Sequence, residues 1–170
     1  MQNYQRLKEK LDSLSIPFKE IEHAESHSCD ESKQFRFAQW LEGIGSKNIV
    51  FHCKGNFYLV TTTGDKQIKA RNFKHEFGSK DIRFASQDEI TAQIQATIGS
   101  IPPFGFENQN IPMYIDREIF DHEFFIFNPS IPTKSIQIST ESLEKIYANL
   151  PNPIKYFSHS EEQFELFDSL

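Results

Sequence analysis

The sequence predicts an α+β fold, a single domain with a mixed central β-sheet flanked by helices. Two β-rich runs in the first half are joined by a hairpin turn, and apolar stripes with helical spacing lie before, between and after the strands. The chain has 170 residues, of which 38% are apolar and 17 are phenylalanine. This length and composition are sufficient for one domain with a sizeable buried core.

The chain opens with a predicted helix and a short strand. Apolar side chains recur with helical spacing at Tyr4, Leu7, Leu11 and Leu14. Ser15-Ile16-Pro17 ends this helix, and residues 18–23 are predicted as a strand. Ser28 and Glu31 then form a capping-box pattern that opens a second helix. The inner face of that helix is predicted to carry Phe35, Ala38 and Leu41.

A hairpin follows. The runs Lys47–Cys53 and Phe57–Thr63 are joined by Lys54-Gly55-Asn56, a sequence typical of a tight turn between strands. Apolar residues occupy alternate positions of both runs and most of the remaining ones. We therefore expect two central strands.

The rest of the chain alternates in the same way. After Gly64-Asp65 we expect a short strand, a helix around Asn72–Phe77 ended by Gly78, a strand at Ile82–Phe84 and a helix from Ser86 to Ile98. Three further strands are predicted at Met113–Ile115, Phe124–Phe127 and Ser135–Ile138. A final helix is striped by Leu143, Ile146, Tyr147 and Leu150 and ended by Pro151. We assign residues 1–150 to the domain and residues 151–170 to an acidic, phenylalanine-containing appendage.

Charge and cysteine content exclude several classes of protein. The net charge of −6 argues against a broad nucleic-acid groove, although residues 66–83 form a modest basic segment. Each charged run is equally consistent with a solvated face. No secretory signal or membrane-spanning run is visible, and the two cysteines, Cys29 and Cys53, are typical of a cytosolic protein with reduced thiols. We therefore expect a cytoplasmic protein that does not associate with membranes.

The segment GSIPPFG, residues 99–105, is the first candidate for function. Gly99 follows the apolar stripe Ile90, Ile94 and Ile98, and is expected to stop that helix with a positive φ. Pro102 and Pro103 make the following backbone stiff. The N–H groups of Ser100 and Ile101 have then lost their helical partners and can be presented to a ligand. A helix stop followed by a rigid turn explains the same residues more simply.

Known metal and nucleophile motifs are missing from the sequence. His23, His27 and Cys29 are close together and His52 adjoins Cys53, but adjacent strand residues point to opposite faces and no zinc-ligand spacing is present. We interpret these residues as structural histidines and a buried thiol, and we expect no metal or organic cofactor. There is no nucleophile elbow or phosphate-binding loop motif. A hydrolase built on this chain would have to activate water without a catalytic triad.

Lys47 is the second candidate, because it follows Gly45-Ser46 at the opening of the first long strand. A lysine at this place can hold a phosphate as a point charge. On spacing alone, a solvated lysine at a strand end is the simpler interpretation.

Taken together, the chain resembles the YbaK / prolyl-tRNA-synthetase-associated editing domain family, which deacylates mischarged tRNA. The resemblance covers roughly residues 18–148. The matching segments are SCDESKQFR (28–36), GSKNIVF (45–51), FGSKDIRFAS (77–86), GSIPPFG (99–105), ID (115–116) and FNPSIPTKSIQIS (127–139). The lysine segment together with the G-x-x-x-P loop is its most specific part.

The resemblance implies a trans-editing aminoacyl-tRNA deacylase. It implies that Lys47 helps to hold the terminal adenosine of the tRNA, and that the loop places the amides of Gly99, Ser100 and Ile101 beside the ester. An activated ester needs positioning, a held water and stabilisation of the developing oxyanion, and a ribose hydroxyl of the substrate can assist proton transfer. We therefore expect Lys47 and the loop to lie on one side of the sheet and to flank one pocket.

The substrate pocket is expected to include Phe35, Pro103, Asn128 and Ser135. Asn128 stands before Pro129 where prolyl-type editing domains carry histidine, and Pro132 stands where they often have asparagine, so the amino acid removed stays open. The expected partners are the acceptor end of an aminoacyl-tRNA and an aminoacyl-tRNA synthetase, with the oligomeric state open. A non-catalytic module that binds tRNA or a synthetase is the alternative function, and a hydrolase of small aminoacyl or peptidyl esters is a third.

Overall fold

The fold was analysed on a computed structural model, which describes residues 2–25, 41–160 and 163–170. Four α-helices lie within these residues: α1 (Gln2–Ser13), α2 (Lys74–Phe77), α3 (Gln87–Ile94) and α4 (Thr140–Ala148). Two 3-10 helices, Ala70–Phe73 and Arg117–Asp121, connect neighbouring elements. The predicted capping box of α3 is confirmed, because the Ser86 side chain accepts from the Glu89 backbone and the Glu89 side chain accepts from the Ser86 backbone.

Nine strands of the described residues form one mixed sheet. Their bounds are β1 (Lys19–Glu22), β2 (Ile44–Cys53), β3 (Asn56–Thr63), β4 (Ile82–Phe84), β5 (Met113–Asp116), β6 (Phe124–Phe127), β7 (Lys134–Ser139), β8 (Ile154–His159) and β9 (Phe164–Phe167). The order across the sheet is β1-β7-β6-β2-β3-β5-β8-β9, with β4 paired to β2 outside this path. The pairs β2–β6, β3–β5 and β5–β8 are parallel. The predicted α+β fold with a mixed sheet and the central hairpin are confirmed.

The sheet has two covered faces. The first packs α1, α3, α4 and the loop 101–106 against strand residues such as Val50, Leu59 and Ile136. The second carries an aromatic cluster in which Phe73 and Phe77 pack on Phe51 with ring centroids 6.1 and 6.5 Å apart. Side chains alternate along each strand, so neighbouring residues of β2 belong to different faces.

Three expectations differ from the structure. Residues 66–69 form no strand, because Lys66 turns inward to form an ion pair with Asp116. The helix predicted for Ser86–Ile98 ends at Ile94, where Gln95 adopts the left-handed conformation. Ile98, expected on the buried stripe, is 57% exposed.

The last twenty residues extend the sheet. Residues 151–170 were expected to form an appendage. In the structure, β8 of this segment pairs with β5 and β9 pairs with β8, so both strands belong to the sheet. Phe157 of β8 is fully buried in the aromatic cluster. Within the described ranges, no helix is long and apolar enough to cross a membrane.

Asp116, the last residue of β5, is the centre of a network of hydrogen bonds and ion pairs. Its side chain is 1% exposed and accepts hydrogen bonds from Thr62 Oγ1 and Lys66 Nζ, each at 2.6 Å. The backbone N–H of Glu118 donates to its other oxygen at 3.0 Å. Burial lowers the pKa of Lys66, but the hydrogen bonds to Asp116 and Glu118 outweigh burial and hold that pKa above its ordinary value.

Asp116→Ala is expected to lower the free energy of unfolding by about 2 kcal/mol, because it leaves the buried Thr62 hydroxyl without its acceptor and leaves the partly buried Lys66 ammonium with Glu118 alone. Chemical denaturation monitored by circular dichroism measures this loss. Lys54→Ala is the matched control, since it removes an exposed ion pair with Asp81 at 2.9 Å and should leave the transition unchanged. Equal transitions for Asp116→Ala and the wild type would contradict a stabilising role for the network.

Candidate active site

One edge of β2 is left open between two neighbouring strands. On this edge β6 pairs only with Ile44 and Gly45, and β4 pairs only from Phe51 to Cys53. Among the described residues, the stretch 46–49 therefore has no ladder partner on this edge, while the carbonyl of Val50 accepts from the N–H of Ala85, just after β4, at 2.8 Å. Open parallel sheets often bind ligands where neighbouring strands diverge at their carboxyl ends, and β6 ends here at Phe127.

The loop predicted to present backbone donors has a defined geometry. Gly99 has a φ of +93° and is exposed, whereas Ser100, Ile101 and both prolines are buried. The N–H of Ser100 donates to the carbonyl of Thr97 at 2.9 Å, so this amide is used within the turn. The amides of Gly99 and Ile101 form no hydrogen bond with any described residue. Two amides of the loop, that of the exposed Gly99 and that of the buried Ile101, therefore lack a partner among the described residues, whereas the Ser100 amide is already used.

The turn that precedes the loop is held by one glutamine. The Gln87 side chain accepts from the N–H of Ile98 at 2.8 Å and donates to the carbonyl of Ala96 at 2.9 Å. These bonds supply partners that α3 no longer provides after its end at Ile94. The start of the loop is thus fixed to the first turn of α3.

Asn48 connects β2 to the loop. Its Nδ2 donates to the carbonyl of Ile101 at 3.0 Å, and its Oδ1 accepts from Thr61 Oγ1 at 2.7 Å. Thr61 is its cross-strand partner on β3. Asn48 therefore fixes the position of Ile101 relative to the sheet, a role that the sequence analysis missed.

Lys47 lies next to Asn48 and pairs with Thr62. Because side chains alternate along β2, the Lys47 side chain lies on the same face of the sheet as Phe51. The loop is bound by Asn48, on the opposite face. The register thus differs from the expectation that the Lys47 side chain and the loop lie on one side of the sheet. Both still border the open edge of β2, and the phosphate-binding role of Lys47 stays a prediction.

Asn128 and Ser135 border the same edge. The last residue pair of the antiparallel strands β6 and β7 is Phe127 with Ile136. The next residues in the same pairing are Asn128 and Ser135, which therefore lie opposite each other. β6 leaves the ladder with β2 after the pair Gly45 and Ile126, so Asn128 follows directly on the point where the two strands separate. The Asn128 Oδ1 atom is buried and has no hydrogen-bond partner among the described residues. A buried acceptor without a donor is costly for the free protein, and a bound donor would satisfy it.

Ser135 is also paired with a histidine. Its Oγ lies 2.9 Å from His23 Nε2, and His23 Nδ1 lies 2.7 Å from the carbonyl of Ala24. A carbonyl only accepts, so Nδ1 carries the proton and, in the neutral ring, the Ser135 hydroxyl donates to Nε2. This serine–histidine pair could not be predicted from local sequence patterns, because the two residues are 112 positions apart.

Two further pocket residues, Pro103 and Phe35, and the structural pair His52 and Cys53 were also predicted from the sequence. Pro103 is buried in the loop, and Phe35 lies in the range 26–40, outside the described residues. Cys53 is a buried free thiol, and His52 Nε2 accepts from the N–H of Gly55 at 3.2 Å within the hairpin turn, so the structural interpretation of these two is confirmed. Within the described ranges, no three histidine, cysteine or acidic side chains are grouped so that they could hold a metal ion.

The chain is similar in sequence to proteins of known function. The family model described as the aminoacyl-tRNA editing domain matches residues 23–146. The chain is 26% identical over 158 residues to the prolyl-tRNA editing protein ProX of Acetoanaerobium sticklandii, covering 86% of this chain and 91% of that protein. It is 33% identical over 113 residues to the proline–tRNA ligase of Staphylococcus saprophyticus, covering 66% of this chain and 19% of the ligase.

A solved structure shares the fold. The crystal structure of a proposed trans-editing enzyme for prolyl tRNA synthetase superposes with a TM-score of 0.72 at 19% identity. The match covers 91% of this chain and 95% of that one.

Proposed function

Because the chain belongs to the aminoacyl-tRNA editing domain family and is an aminoacyl-tRNA deacylase, we propose that its active site lies at the open edge of β2. The observation that carries this proposal is the pair of unpartnered amides, Gly99 and Ile101, in a stiff loop that Asn48 fastens to the sheet. Preorganised donors of this kind stabilise the oxyanion that forms when water attacks an ester.

The reaction needs no covalent intermediate on the protein. Water adds to the ester carbonyl, and the amides of Gly99 and Ile101 donate to the oxygen that becomes negative. The bond from the carbonyl carbon to the ribose oxygen then breaks, and that oxygen takes up a proton as the free tRNA leaves. The vicinal ribose hydroxyl of the substrate relays the proton, so the protein supplies orientation and electrostatic stabilisation.

Lys47 has the role of holding the terminal nucleotide. Its ammonium group pairs with a phosphate of the acceptor end as a point charge. The Lys47 side chain lies on the face of β2 opposite the loop, so this role requires the acceptor end to cross the open edge of β2, with the phosphate at Lys47 and the ester at Gly99. Binding by the acceptor end, rather than along the whole tRNA, agrees with the net charge of −6.

Asn128, Ser135, Pro103 and Phe35 form the proposed pocket for the amino acid. The buried Oδ1 of Asn128 is available to a donor on the substrate, such as its ammonium group or a side-chain hydroxyl. Sites that hydrogen-bond a substrate group reject analogues lacking it more strongly than apolar pockets reject one methylene.

Asn128→His is expected to redistribute the rates among substrates rather than lower all of them equally. The imidazole is bulkier than the amide and differs in its donors and acceptors. The measurement is kcat/KM for alanyl-, seryl-, threonyl- and cysteinyl-tRNA with both forms of the protein. Constant ratios among the four substrates would show that Asn128 does not line the selective part of the pocket.

The names of the relatives supply the first substrates to test. ProX is named as a prolyl-tRNA editing protein and the second relative as a proline–tRNA ligase. We therefore propose mischarged tRNAPro as the substrate, an association with the synthetase that charges it, and a cytoplasmic location.

A deacylation panel tests the proposed function. The wild-type protein is incubated with several mischarged tRNAPro species, with correctly charged prolyl-tRNAPro and with the matching free aminoacyl esters. Turnover of mischarged tRNA alone is the expected result. Binding of tRNA without turnover would favour the non-catalytic module, and equal turnover of the free esters would favour a small-ester hydrolase.

A further inference from the structure

Phe84 is an unusually exposed aromatic residue. Among the described residues, three large apolar side chains are exposed: Phe84 at 64%, Ile98 at 57% and Leu170 at 38%. Phe84 lies on β4 opposite Phe51 of β2, and the two rings stack with centroids 5.3 Å apart and an interplanar angle of 22°. Phe51 itself is fully buried. The buried ring therefore supports one face of Phe84, and most of the remaining ring surface is open to solvent.

The position of Phe84 relates it to the proposed active site. Phe51 and Lys47 are four residues apart on the same face of β2, which corresponds to roughly 13 Å along the strand. Phe84 stacks on Phe51 at the far end of the open edge, on the face of β2 that also carries Lys47, whereas the loop lies on the opposite face. Successive nucleotides of one strand can therefore reach both Lys47 and Phe84.

Neighbouring charges also suit a polyanion. Residues 66–83 contain six basic and two acidic residues, and the basic residues Lys69, Arg71, Lys74 and Lys80 are exposed. Phe73 and Phe77, from the same segment, pack on Phe51 directly beside Phe84. The chain segment that leads into β4 is thus basic in composition within an otherwise acidic protein, although Arg71 and Lys74 lie beside Phe164 of β9 rather than beside Phe84. This composition favours a nucleic-acid strand over an apolar peptide as the partner of Phe84.

Arg83 keeps this surface rigid. Its guanidinium forms two hydrogen bonds with the Glu89 carboxylate, at 2.7 and 3.0 Å, and a third with the carbonyl of Phe84 at 3.2 Å. The hydrogen bonds from Arg83 and from the backbone of Ser86 lower the pKa of Glu89 to about 2, so the pair stays ionised at neutral pH. β4 is thereby tied to the start of α3, and the Phe84 ring is held before any ligand binds.

We propose that Phe84 is a stacking platform for the nucleobase that precedes the terminal adenosine of bound aminoacyl-tRNA. This inference rests on the proposed function, because it takes the acceptor end as the occupant of the open edge of β2. Stacking on an aromatic ring is tolerant of base identity, since every base has a π face. Phe84 thus contributes to binding of the strand and not to the choice of amino acid.

The test compares Phe84→Ala with Phe84→Trp on two substrates. The first is alanyl-tRNAPro, and the second is alanyl-adenosine, which has no preceding nucleotide. Phe84→Ala is expected to raise KM for the tRNA by about fivefold or more and to leave hydrolysis of alanyl-adenosine unchanged. Phe84→Trp should retain tRNA affinity, and Leu170→Ala is the control for loss of an exposed apolar side chain.

Binding of uncharged tRNAPro separates this inference from the proposed function. A wild-type protein that binds tRNA through Phe84 but hydrolyses no ester would refute the proposed function and support the platform. Three results would overturn the platform: unchanged tRNA affinity in Phe84→Ala, an equal loss on alanyl-adenosine, or a change of oligomeric state on sedimentation. The last would indicate that a second copy of the chain covers Phe84.

Discussion

Gly99→Val is expected to lower kcat/KM for mischarged tRNA by about 100-fold or more, the effect of losing one oxyanion donor. Gly99 has a φ of +93°, a conformation that a β-branched residue rarely adopts. An added Cβ would meet no atom within 4 Å, so crowding inside the protein is not the cause of the loss. The cause is a shift of the backbone that turns the Gly99 amide away, together with a side chain in the space of the ester.

The matched control for this variant is Gly55→Val. Gly55 has a φ of +82° and also has open space around an added Cβ, but it lies in the hairpin turn at the far end of β2. Both variants should lose about 1 to 3 kcal/mol of stability from backbone strain, and only Gly99→Val should lose activity. Full turnover by Gly99→Val would show that the loop does not approach the ester.

Lys47→Ala is expected to abolish most deacylation with almost no change in Tm, because a partly exposed lysine within β2 contributes little to the core while a lost phosphate contact misplaces the ester. The main effect should be on KM. Asn48→Ala differs, because it frees the loop at Ile101 and leaves buried polar groups unpaired, which should lower kcat and also cost about 1 to 3 kcal/mol of stability. Steady-state kinetics and thermal unfolding of the two variants measure this contrast.

The salt dependence of tRNA binding measures how many phosphates the protein contacts. A protein that grips chiefly the acceptor end neutralises few phosphates, so the slope of log Kd against log salt should be shallow, close to one unit per phosphate contact. Lys47→Ala should reduce this slope, and Lys69→Ala, in the basic segment, is the control for a general loss of charge. A steep slope that Lys69→Ala reduces would contradict acceptor-end binding and indicate a wider interface.

The parts of the fold that depend on local pattern were predictable from the sequence. Alternating apolar residues and Lys54-Gly55 specify the β2–β3 hairpin, and Ser86 with Glu89 specifies the start of α3. The end of α3 was not predictable in this way. Gln95 takes the left-handed conformation and Gln87 supplies partners for the turn beyond it, so the helix stops before the glycine that marks a stop in the sequence.

Long-range pairing accounts for the other differences. β8 pairs in parallel with β5 and buries Phe157, although the acidic residues near the C-terminus suggested a solvated tail. The alternation of side chains along a strand predicts that Lys47 and Asn48 point to opposite faces of the sheet. Which of the two faces the loop covers depends on the path of the chain after α3, and the local sequence does not predict that path. The His23–Ser135 pair joins two strands at opposite ends of the chain, and no local signal predicts it.

Hydrolysis is proposed to depend on the amides of the loop and not on a nucleophile of the protein. Ser135 tests this proposal most directly, because its pairing with His23 is the arrangement that an acyl-enzyme mechanism would use. The measurement is the rate constant of single-turnover deacylation of alanyl-tRNAPro by Ser135→Ala at saturating protein. We expect a rate within about threefold of the wild type, since Ser135 lines the pocket without attacking the ester. A loss of about 1,000-fold or more, with an acylated Ser135 trapped in the wild type, would contradict it.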